Sequence, residues 1–106
     1  MKVDLDQIEK LEKLVEGKGE VLIYETTNIA KVRLILGLIL QRGEEWTEKF
    51  KKMQVFLYKE FSEYRLDFRF NGDKNDHIRI CEGDLKLAPF WNLVVTLYES
   101  YGSSSQ

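Results

Sequence analysis

The sequence predicts a small single-domain α+β fold, with the element order helix, strand, helix, helix, β-hairpin, helix. Three patterns predict it. Apolar residues recur at three-to-four spacing early in the chain, broken by one short β-branched run. Residues 64–81 alternate apolar and polar side chains around a turn-rich centre, and a second helical repeat follows them. With 106 residues, 43% hydrophobic and 32% charged, the chain suits one domain with a real core. That domain is expected to span 1–101, with 102–106, "GSSSQ", as a flexible tail.

In the first helix, Leu5, Ile8, Leu11, Leu14 and Val15 form the apolar stripe, Asp4 can cap, and Gly17 or Gly19 can end it. "EVLIYE", residues 20–25, reads as a buried strand. Thr26, Thr27 and Asn28 are cap residues for a second helix, whose stripe is Ile29, Val32, Ile35, Leu36, Ile39 and Leu40 and whose stop is Gly43. Leu34 and Leu38 form another apolar strip on that helix, which requires a cover.

From Glu44 to about Glu60 a third helix is expected, because Trp46, Phe50, Met53 and Leu57 keep helical spacing; a strand beginning near Met53 is the alternative. Next, Tyr64, Leu66, Phe68 and Phe70 alternate with Arg65, Asp67 and Arg69, and Ile78 and Ile80 alternate with His77, Arg79 and Cys81. This is a β-hairpin with one apolar face. The expected register sets Phe70 opposite Ile78, with Asn75 left-handed in the loop and Arg69 facing Arg79. A competing register sets Asp67 opposite Arg79. A final helix is expected from about Pro89 to Tyr101, with Phe90, Leu93, Val94, Leu97 and Tyr101 on its stripe; a strand is the alternative, because Trp91, Leu93, Val95 and Leu97 also alternate.

Net charge is -2, which disfavours a strong polyanion site, yet the charge is uneven. Residues 1–28 hold four basic and seven acidic side chains, whereas residues 29–52 hold six basic and three acidic. No apolar run reaches the roughly 18 residues of a membrane span, since Lys31 and Arg33 interrupt Ile29 to Leu40. The acidic start lacks the pattern of a secretory signal, and the one cysteine forms no internal disulfide, so a cytoplasmic location is expected. The Glu and Lys content leans toward a thermophile.

Catalysis is not expected. His77 and Cys81 lie four residues apart on a strand, about 13 Å, too far to form a dyad. No zinc-ligand spacing, phosphate-binding glycine loop or calcium-loop pattern is present, so no metal or cofactor is expected.

The element order resembles the winged helix-turn-helix arrangement, without a family signature in the letters. The resemblance implies a DNA-reading third helix with Thr47, Lys51, Gln54 and Tyr58 on its outer stripe, flanked by Lys49 and Lys52, and Lys74 at the wing tip. The arginines of the hairpin, Arg65, Arg69 and Arg79, would meet phosphates. If Tyr64, Phe68 and Phe70 were exposed, single-stranded bases could stack there instead. Two roles follow: nucleic-acid binding, DNA or RNA, or a small dimeric interaction module, adaptor or inhibitor. A homo-oligomer and no membrane contact are expected. In the first role, replacing Arg69 and Arg79 together by glutamine is expected to abolish oligonucleotide binding with stability unchanged or improved. The bland alternative is that acids of the same chain already neutralise the arginines.

Overall fold

A computed structural model describes residues 5–38, 51–71, 73–84 and 90–104. Its elements are α1 (Leu5–Lys18), β1 (Glu20–Thr26), α2 (Ile29–Leu38), β2 (Met53–Glu60), β3 (Glu63–Phe70), β4 (Asp73–Cys81), a 3-10 turn at Glu82–Asp84, and α3 (Phe90–Ser104). The strands form one antiparallel sheet in the order β1-β2-β3-β4, and α1 and α3 pack on the same face of it. The class is α+β, as the sequence predicts.

On α1, Leu11 and Val15 turn into the core, while Leu5 at its start is exposed. Gly19, with φ at 78°, ends the helix, and its amide donates to the Val15 carbonyl at 2.6 Å. A residue without Cβ takes that left-handed conformation at no steric cost. Asp4 lies outside the described residues. Asn28 caps α2: its Oδ1 accepts from the Ala30 amide at 2.9 Å and the Lys31 amide at 3.4 Å. Val32 and Ile35 are buried beneath α2, and Leu34 is exposed on its outer side. The predicted end at Gly43 lies outside the described residues.

Residues 53–60 correct the sequence reading. They form strand β2 instead of the second half of a third helix, as the alternative break near Met53 proposed. Met53, Val55 and Leu57 all point into the core with no exposure, a period of two that a helix could not produce. The strand is paired on both sides, with β1 and β3, so tertiary burial outweighs the coincidental helical spacing of Met53 and Leu57. Trp46 and Phe50 lie outside the described residues. The winged-helix order therefore fails over residues 53–60.

The β3–β4 register is also corrected. Asp67 faces Arg79, Phe68 faces Ile78 and Arg69 faces His77. This competing register keeps Phe68 and Ile78 on the core face and replaces a like-charge pair with an opposite-charge one. An irregularity between Arg69 and Phe70 absorbs the offset, and the left-handed residue is Asn71, φ 60°, not Asn75. The Asn71 Oδ1 accepts from the Lys51 amide at 2.6 Å and the Lys52 amide at 3.2 Å, tying this turn to the start of β2.

α3 buries Phe90, Leu93, Val94 and Leu97 of its predicted stripe and adds Val95, while Tyr101 is half-buried. Its end at Ser104 corrects the boundary at 101: residues 102–104 extend the helix, since adding a residue to a formed helix is far easier than starting one. Gln7 of α1 hydrogen-bonds Glu99 of α3, joining the helices above the sheet. No helix among the described residues is long and apolar enough to cross a membrane.

Candidate functional site on the open sheet face

Strand alternation gives the sheet two unlike faces. Toward the helices point Val21, Tyr24, Met53, Val55, Leu57, Tyr64, Leu66, Phe68, Phe70, Ile78 and Ile80. Tyr64, Phe68 and Phe70 thus belong to the core and cannot stack bases, which removes that reading of the hairpin. The other face follows from the pairings Glu20↔Tyr58, Gln54↔Arg69, Phe56↔Asp67, Tyr58↔Arg65 and Asp67↔Arg79. Directly opposed residues share a face.

Arg65, Arg69, Arg79, Gln54 and Tyr58 are therefore neighbours on one surface, as strand residues instead of a helix stripe plus a wing. Lys51 is exposed beside the start of β2, and Lys52 places its Nζ 2.9 Å from Glu25. Gln54 Nε2 donates to the same Glu25 at 3.3 Å. Lys74 lies on β4, and Thr47 and Lys49 lie outside the described residues.

Asp67 is the hub of this face. It is only 2% exposed, and Arg69 Nε donates to its Oδ2 at 2.8 Å. Arg69 also reaches across β2 to Glu20 at 2.6 Å, with its guanidinium carbon 4.1 Å from the centre of the Phe56 ring. A guanidinium over an aromatic face is attracted by the ring's electron density. Arg79 approaches the same Asp67 oxygen at 4.0 Å and lies over Tyr58 at 5.3 Å. Arg65 is shared between Glu60 at 3.3 Å and Glu63 at 3.9 Å. Each arginine meets a carboxylate of its own chain, Arg79 the most loosely.

Proton affinities follow this arrangement. Burial opposes the charged form of Arg69, but the Asp67 hydrogen bond and the charge of Glu20 outweigh it and raise its pKa. Burial also raises the Tyr58 hydroxyl, with Arg79 partly countering it. Among the described residues, Tyr58 Oη, Arg65 Nε and Asp67 Oδ1 are buried without a hydrogen-bond partner, so Arg65 meets Glu60 by charge alone.

The expectation that removing Arg69 and Arg79 leaves stability unchanged is opposed by this geometry. Asp67 would stay buried with no counter-charge, an arrangement that is strongly destabilising. Sequence reasoning missed Glu20, Glu25 and Phe56 as parts of this face. Phe56 carries a signal, since it alternates with Val55 and Leu57, but only when residues 53–60 are read as a strand.

His77 and Cys81 lie half-buried on β4, and no group of three or more His, Cys, Asp or Glu among the described residues is placed to hold a metal ion. No protein-family model matches the chain, and neither does any curated protein or solved structure.

Proposed function

We propose that the chain is a non-catalytic protein-interaction module. The observation that carries this reading is the pairing of Arg65, Arg69 and Arg79 with carboxylates of their own chain. The ion pairs of the described residues join four cations, Lys52 and the three arginines, to five carboxylates, Glu20, Glu25, Glu60, Glu63 and Asp67. A surface so balanced gains little by releasing counterions from a phosphate backbone. Unmet surface lies instead at the exposed apolar side chains Leu5, Leu34 and Phe61, and apolar contact is what protein interfaces bury at their centres.

Nucleic-acid binding is the second reading, favoured by one observation: Arg79 is 41% exposed and its nearest carboxylate is 4.0 Å away. Gel shifts on single- and double-stranded oligonucleotides at low and moderate salt, beside the mass of the chain in solution, separate the two. The module reading expects no shift at either salt. A shift that weakens with salt and disappears in Arg79→Gln overturns it.

A further inference from the structure

We infer that Phe61, at the tip of the β2–β3 hairpin, is the anchor by which this module seats in an apolar, base-rimmed pocket of a protein partner. The inference rests on the interaction-module reading and names the contact it uses.

Glu60 pairs with Glu63, so Phe61 and Ser62 alone form the turn. Phe61 has φ at 59° and is 92% exposed. A two-residue hairpin turn with positive φ favours Gly, Asn or Asp, and a bulky side chain there is a conformational outlier. The core does not use the ring, because Phe61 stands outside the buried cluster. Neither turn formation nor packing thus accounts for phenylalanine at this position. Strain of this kind is retained where a site needs it. Leu5 and Leu34 differ, since each sits in ordinary helical backbone, and single exposed leucines are common.

The tip projects past its neighbouring strands, since β1 pairs with β2 only as far as Tyr58 and β4 with β3 only from Arg65. It is ordered by its own ladder, by Lys59 over the Tyr64 ring at 5.3 Å, by Arg65 between Glu60 and Glu63, and by the Tyr64 amide donating to Glu82 at 2.8 Å. A pre-ordered aromatic loses little freedom on binding. The partner's chemistry follows from the flanks. On the open-face side two carboxylates, Glu60 and Glu63, share one guanidinium, while Lys59 stands on the other side over Tyr64, so the acidic side suits Lys or Arg along the facing rim of the receiving pocket. A bilayer fits poorly: one acyl chain gives only marginal attachment, one phenyl ring offers less apolar area, and an anionic leaflet repels the carboxylates.

The test selects disulfide-cyclised peptides from a displayed library on the intact chain, then compares their affinity for wild type, Phe61→Gly and Leu34→Ser. Glycine suits the turn, so Phe61→Gly retains the fold, as circular dichroism and urea unfolding verify. The expected result is Lys- or Arg-bearing apolar peptides that bind Phe61→Gly about ten-fold more weakly or worse, and Leu34→Ser normally. Unchanged affinity for Phe61→Gly overturns the anchor while leaving the module reading intact. A library that yields no binder, with a monomeric chain, overturns both. Phe61-dependent self-association, or Phe61-dependent binding to phosphatidylcholine–phosphatidylglycerol vesicles, replaces the pocket with a second copy or a lipid surface and overturns the inference.

Discussion

On the helix side of the sheet, Met53, Val55, Leu57, Leu66 and Phe68 are completely sealed from solvent; one residue away along the same strands, Gln54, Phe56, Tyr58, Arg65 and Arg69 remain half-buried. The first set is held by apolar burial, which is non-directional and scales with area. The second is held by directional contacts, Arg69 to Asp67 and Glu20, Arg65 to Glu60 and Glu63, and Gln54 to Glu25, so each depends on its neighbours' positions. The contrast separates what makes this domain fold from what sets the character of its open surface. On the interaction-module reading proposed above, the arginines complete the sheet surface themselves.

The largest expected effect tests the apolar side. Phe68→Ala should cost about 3–5 kcal/mol in urea unfolding, through lost transfer energy and the cavity left behind. A cost below that of an exposed substitution would mean that the sheet face is not sealed as described. Asp67→Asn tests the polar side and should cost about 2–3 kcal/mol, less than severing a fully buried pair because Arg69 keeps Glu20. If Asp67→Asn is neutral, the two faces are not held by different forces in the way argued, and the arginines are available to an outside anion.

A third expectation lies at the border between the faces and the helices. Tyr64 is buried, donates from its hydroxyl to Glu12 at 3.2 Å, and has its pKa pushed up to about 12, first by burial and then by the Glu12 charge. Between the unfolded value of 10.0 and the folded value, the unfolded chain has lost this proton and the folded chain retains it. The contribution is therefore complete below pH 10 and falls away as pH rises through about 12, by at most roughly 3 kcal/mol. Unfolding of wild type and Tyr64→Phe across that range should show a shallower slope in the variant. Equal slopes would place the loss on other groups.

How far the letters reach can be seen element by element. α1, β1, α2 and α3 were legible because each has one buried stripe and, for α2, a capping side chain that recurs in the structure as Asn28. Residues 53–60 were not, because Met53 and Leu57 satisfy both a helix and a strand, and only the two flanking strands choose between them. The hairpin arginines were legible as a group, but their partners were not. Glu20 is 49 positions from Arg69 in the chain and meets it only because β2 lies between their strands.

Local periodicity is enough to set the class of fold, the apolar side of each strand and the gathering of Arg65, Arg69 and Arg79 on one surface. Tertiary structure alone decided that residues 53–60 are a central strand, that Asp67 and not Arg69 faces Arg79, and that each arginine finds a carboxylate at home. The reason is one of range. Periodicity is written along a few turns of chain, whereas register and ion pairing are set by which strands lie side by side, and that is fixed only when the whole core closes.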